Sequence, residues 1–244
     1  GFDHILMTPG NHDLPSGGDK RWRNTFANTP DGGPWLPDSP TVNGKRGLDQ
    51  MDYFVDVGNI RFISLTTDTQ KYGAQTLADE TLNWLLEVLR VTEEAEAIEH
   101  VFVLTHHPVT FDSFAPTIAG TVGKLWQGIV TESTKTHALF AGHWHLFQPS
   151  RPDANRPETW EVVTGTGGGG LEGRMQQSHH GFLIVDIFAD GNVQADFISD
   201  LDGATNGWSF VDPLDSFTLH NPNALPQSPL VASYDFEHGS VLLD

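Results

Sequence analysis

The chain contains no cysteine. That excludes disulfides and every thiolate metal site, and leaves imidazole, carboxylate and carboxamide groups as metal ligands. Basic residues are scarce: 13 Lys and Arg stand against 32 Asp and Glu, a formal net charge of −19. Such a surface repels phosphate backbones and argues against nucleic-acid binding through a basic face. An anionic substrate meets the same repulsion, so a phosphate-processing site needs strong local positive charge, which metal ions can supply. Long apolar runs are absent too, so no membrane span is expected. With 38% hydrophobic and 18% charged residues over 244 positions, the composition is that of a soluble globular chain, long enough for one large domain or one and a half. An acidic, cysteine-free chain suits a secreted or salt-tolerant bacterial protein, and an extracellular or periplasmic location is the expectation.

What is present is organised in strand-like runs. Phe2–Thr8 reads as a short strand entering the Pro9-Gly10 turn. Residues 14–50 are a long loop dense in Gly, Pro, Asn and Asp; its Trp22 and Trp35 either form a substrate-side lid or cover the domain's own core, with the second reading favoured. Tyr53–Val57 and Ile60–Leu65, joined by Gly58-Asn59, predict a hairpin. Apolar residues at 77, 82, 85, 86 and 89 have helical spacing, and Asp79 and Glu80 suit its N-terminal turn. Val101–Leu104 is fully apolar, as in a sheet covered on both faces. A short helix over 123–130, buried strands at Ala138–Phe140 and Trp160–Thr164, and a hairpin of 182–188 with 193–198 follow. Strand–helix–strand order with hairpins on either side predicts an α/β sandwich with two mixed sheets.

Three polar clusters terminate these apolar runs: Gly10-Asn11-His12-Asp13, Thr105-His106-His107-Pro108 and Gly142-His143-Trp144-His145. If the last is extended, His143 and His145 point to one face and Trp144 to the other. A lone His-x-His is far more often incidental than functional, but three such clusters at strand ends make coincidence a poor account. Imidazoles suit Zn, Mn and Fe, an amide oxygen at Asn11 suits a harder ion, and the adjacent His12 is free to donate a proton.

Gly-Asn-His-Asp, then His-x-Pro after an apolar strand, then Gly-His-x-His resembles the calcineurin-like metallophosphoesterase family over roughly residues 1–198. The resemblance implies a two-sheet α/β sandwich with two divalent or trivalent ions (Mn, Zn, Fe or Mg) at the strand ends. It further implies that Asn11, His106 and His143 bind one ion, that His145 binds the other, and that the catalytic His12 protonates the leaving oxygen or stabilises the transition state. Asp13 orients the loop, and His107 supports the ligands or faces substrate. The implied reaction is hydrolysis of a small phosphate ester, monoester or diester. The family's opening Asp-x-His and Gly-Asp-x-x-Asp motifs have no counterpart before Gly10. The chain is therefore expected to be the N-terminally truncated, C-terminal portion of a longer enzyme and to be inactive alone. Two rivals stand beside this: a non-catalytic ligand- or glycan-binding descendant of the fold, and a mononuclear zinc hydrolase. Metal per chain of the intact protein separates them as two, none and one.

Other features read as structural. The glycine run 167–170 lacks the Lys-Ser/Thr of a phosphate-binding loop. His100, His137 and His220 have no partner at metal-ligand spacing. Asp200-Leu201-Asp202-Gly203 lacks the rest of a calcium loop. Residues 199–229 resemble an extension or linker, and 230–244 the opening of a laminin-G or concanavalin-like β-sandwich, a domain type that would bring a carbohydrate contact.

Overall fold

The computed structural model describes residues 6–14, 18–26, 36–67, 77–109, 122–153, 156–167, 170–171, 179–199, 215–223, 233–235 and 240–242. A helix α1 spans Gly18–Thr25, and strands β1 (Tyr53–Val57) and β2 (Ile60–Ser64) form the expected hairpin. Helix α2 spans Asp79–Glu94, strand β3 His100–Thr105, helix α3 Val122–Glu132 and strand β4 Thr136–Ala141. Strands β5 (Phe147–Ser150), β6 (Trp160–Thr164), β7 (Gly181–Ile187), β8 (Val193–Ser199) and β9 (Asp215–His220) follow, then β10 (Ser233–Asp235) and β11 (Ser240–Leu242).

The large sheet has six strands in the order β1-β2-β3-β4-β6-β5. Its centre is parallel from β2 through β3 and β4 to β6, with β1 and β5 antiparallel at the edges. The small sheet, β7-β8-β9, is antiparallel throughout, so one sheet is mixed and not two. Alternation along β3 and β4 sorts the core into two layers. Val101, Val103, Leu139 and Ala141 face helices α2 and α3, where Trp84, Leu85, Val88, Leu89, Leu125 and Ile129 bury the opposing surface. Phe102 and Ala138 face the small sheet and meet Val193, Ala195, Phe197 and Leu219. The Phe147 and Phe197 rings stack 3.9 Å apart across that second layer. Fully buried side chains of this size each stabilise by roughly 1.5–3 kcal/mol relative to exposure. Helix α2 runs five residues past Leu89, since Val88, Leu89 and Thr92 keep a buried face in register.

Several expectations change. Residues 6–8 form no strand; side chains pin them instead. The Tyr53 hydroxyl accepts the Met7 N–H at 2.8 Å and donates to the Met7 carbonyl at 2.7 Å. Thr8 Oγ1 lies 2.8 Å from Ser64 Oγ. Trp22 packs against Leu14, Leu36, Met51 and Tyr53, and its Nε1 donates to the Gln50 carbonyl, so it covers core and not substrate. Part of the stretch expected as a linker, 215–220, is a sheet strand, because its alternate residues Phe217 and Leu219 complete the second core layer. β10 and β11 pair as a separate two-stranded ribbon, and nothing in it supports a carbohydrate contact. Residues 2–5, Trp35, Gly168-Gly169 and Asp200–Gly203 lie outside the described residues. Among the described residues no helix is long and apolar enough to cross a membrane.

Candidate metal centre

The parallel strands β2, β3, β4 and β6 all end on the same side of the large sheet, and the candidate site lies beyond those ends. Register does the positioning. Thr105 pairs with Ala141, so His106 and Gly142 leave the sheet side by side, and the Gly142 N–H donates to the His106 carbonyl at 3.0 Å. Ala141 pairs with Val163, which brings Gly165 alongside the same turn. There a Cβ on Gly165 would lie 2.0 Å from the Trp144 carbonyl oxygen, so only glycine permits the approach. Behind the site, the buried Glu161 accepts the Val109 N–H and holds the loop that follows His107.

His143 and His145 are not extended. The Trp144 N–H donates to the Gly142 carbonyl at 2.8 Å, a three-residue γ-turn with His143 at its centre and φ of 65°. A non-glycine residue held there costs on the order of 1–3 kcal/mol, a strain seen mainly where function requires it. The turn aims His143 Nδ1 at His106 Nε2, 3.2 Å away. It also puts the Trp144 ring edge-on to His143 at 5.9 Å, instead of on an opposite face.

Asn11 arrives from the other side. The Asp13 carboxylate accepts the Gly10 N–H at 2.9 Å, and the Gly10 carbonyl accepts the Asp13 N–H at 2.9 Å, closing the turn that carries Asn11 and His12. Gly10 lies against the imidazole of His106; a Cβ would sit 2.7 Å from Nδ1. Asn11 Oδ1 thereby reaches 2.8 Å from His106 Nε2. His12 is exposed at the rim, and its charge is felt at His106. His145 stands apart from this group, with Nδ1 donating to the Gly170 carbonyl at 2.5 Å.

Among the described residues, His106, His107 and His143 are the group whose ligand atoms all fall within 4.8 Å of one another. Burial, reinforced by neighbouring His143, lowers the pKa of His106 to about 4. Burial likewise lowers His107 to about 3, with His106 and His143 adding to it. Both rings are therefore neutral near pH 7, the form that ligates a cation. Bonds of about 2.1 Å at right angles put neighbouring ligand atoms about 3 Å apart. The Asn11–His106 and His106–His143 separations of 2.8 and 3.2 Å match that spacing, so the donor set fits a metal ion.

The sequence profile of the calcineurin-like phosphoesterases matches residues 2–147, from ahead of Asn11 to beyond His145. The chain belongs to that family. No functionally curated protein matches the chain in sequence. Among solved structures it is similar to a purple acid phosphatase from yellow lupin (Lupinus luteus) seeds, with a TM-score of 0.51 and 19% identity over 69% of this chain and 32% of that one. It also matches the anchor protein of the Plasmodium inner membrane complex, at TM-score 0.48 and 12% identity over 73% of this chain and 59% of that one. The chain thus spans about a third of the length of the lupin protein. At 19% identity the likeness to the lupin protein bears on the fold alone. Thr67, Glu161 and Gly165 belong to no motif and become visible only through their contacts.

Proposed function

We propose that the chain contributes to metal-dependent hydrolysis of a phosphate ester, monoester or diester, at a two-metal centre of the intact protein. Asn11, His106 and His143 hold one ion, His145 offers Nε2 to the other, and His12 is the proton donor. The observation that carries this is the convergence of Asn11 Oδ1 and His143 Nδ1 on His106 Nε2 at 2.8 and 3.2 Å, with His106 kept neutral by burial. Bound divalent or trivalent cations (Mn, Zn, Fe or Mg) supply Lewis acidity toward the phosphoryl oxygens and offset the negative surface that would repel substrate.

The chain's own groups do the rest. Asp13 fixes the turn, so that Asn11 faces inward while the neighbouring His12 stays at the solvent rim where a leaving alcohol departs. A proton from His12 to that oxygen completes the displacement. The Gly170 carbonyl fixes the tautomer of His145. The test is a panel of phosphomonoesters and phosphodiesters with the intact protein and each of Mn, Zn, Fe and Mg, alongside elemental analysis of metal per chain. Hydrolysis with two ions per chain is expected. One ion favours the mononuclear reading, and none with no turnover overturns the proposal.

A further inference from the structure

Resting on the metal centre proposed above, we propose that His107 is a further ligand of that centre, presenting Nε2 to the ion held by His106 and His143, with Thr67 as its positioning residue. His107 has no exposed surface. Its Nε2 is buried without a hydrogen-bond partner among the described residues, a costly state for an imidazole nitrogen unless something outside the protein engages it. The other ring nitrogen is held: Nδ1 lies 3.0 Å from Thr67 Oγ1, which also accepts the His107 backbone N–H at 3.1 Å. Thr105 Oγ1 donates to the His107 carbonyl at 2.9 Å and fixes the backbone on that side. A ring tethered through one nitrogen to an oxygen, with the other nitrogen bare, is the arrangement in which histidine ligates.

Geometry adds the direction. The His107 ring lies 4.4 Å from that of His143 and 4.8 Å from that of His106, and the three rings offer nitrogens within 4.8 Å of one another. Imidazoles bound at neighbouring positions of one ion, through bonds of about 2.1 Å at right angles, have ring centres about 4.5 Å apart, which the two ring separations match. Thr67 comes from the segment after β2, so the third imidazole is oriented from a part of the chain distant in sequence.

The test reads metal affinity, with Zn²⁺ and Mn²⁺ titrated into the intact protein against a competing chelator. His107→Phe fills the volume and removes both nitrogens; Thr67→Val removes the tether, and Thr67→Ser restores it. His107→Phe should weaken binding by tenfold or more, Thr67→Val by about tenfold, and Thr67→Ser little. Co²⁺ absorption should shift in His107→Phe. If His107→Phe fails to fold, the Thr67→Val and Thr67→Ser pair decides alone. Unchanged affinity and an unchanged Co²⁺ spectrum, with or without a raised KM, overturn the proposal, since a KM effect alone makes Nε2 a donor to substrate. His106→Ala is the control: if it too leaves affinity intact, the metal-centre reading itself falls.

Discussion

At the scale of single residues, the centre depends on atoms that do no chemistry. His143 reaches His106 through a γ-turn, and the turn fits only because Gly165 leaves room for the Trp144 carbonyl. Gly165→Ala puts a methyl group into backbone, which cannot swing aside as a flexible side chain would. We expect it to weaken metal binding by about tenfold and to lower Tm by several degrees. Calorimetry and a chelator titration check this; a variant with wild-type affinity would show that the turn does not set the ligand. The functional counterpart is His12. His12→Ala should lower kcat by about two to four decades while metals stay bound, the usual size of acid catalysis. The loss should shrink for nitrophenyl esters, whose leaving group needs no proton. A uniform loss across leaving groups, measured by initial rates on matched esters, counts against the role.

At the scale of elements, the far ends of β3, β4 and β9 bring together three histidines that sequence spacing leaves unpartnered. His100 Nδ1 lies 2.9 Å from His137 Nε2, and the His220 ring stacks on His137 at 4.1 Å, so the cluster joins the small sheet to the large one. Burial, then neighbouring His220 and His100, lowers His137 to about 3. Burial also lowers His100 and His220, with Glu99 and Glu158 opposing it. The unfolded chain binds protons below about pH 6.5 that folded His137 refuses down to about pH 3, so stability falls as the pH drops through that window. Asp52 works in the other direction. Fully buried between Leu48, Thr66 and Thr81, its carboxyl is raised from 3.8 to about 6, so folding binds a proton there and its contribution grows as the pH falls from about 6. Three histidines outweigh one carboxyl, so acid should destabilise on balance. Urea midpoints between pH 7 and 4, in chelator, should fall in the parent chain, fall less steeply in His137→Phe and more steeply in Asp52→Asn. Identical slopes in all three would remove the cluster from the account.

At the scale of the molecule, charge and layering matter most. A net charge of −19 opposes the approach of any phosphate ester, and the metal ions proposed for the site would offset it locally. Screening the surface should therefore help. kcat/KM should rise with ionic strength from about 0.01 to 0.15 M, more for a dianionic monoester than for a monoanionic diester. A decline with salt for both, at saturating metal, would mean that the approach path is positive. The layering is equally exposed to test. Phe197 lies fully buried between the sheets and stacks on Phe147, so Phe197→Ala should cost about 3–5 kcal/mol in urea unfolding. A loss under about 1 kcal/mol would mean that the small sheet is not an integral layer.

The sequence alone determined the parts with a local physical signature. Val101–Leu104 and Ala138–Phe140 are short, fully apolar runs that suit strands of a sheet covered on both faces, and α2 is a helix because its apolar residues recur every three or four positions. The polar clusters that follow apolar runs offered Asn11, His106 and His143 as candidate ligands. Only the tertiary structure decided what depends on residues distant in the chain. Register set His106 beside Gly142, and a backbone clearance at Gly165 permitted the His143 turn. A hydroxyl forty residues away tethered His107, and β9 was recruited to cover Phe102 and meet His137. Periodicity records which face of an element is buried; it holds no information about which other element does the burying, or which of two ring nitrogens is left without a partner.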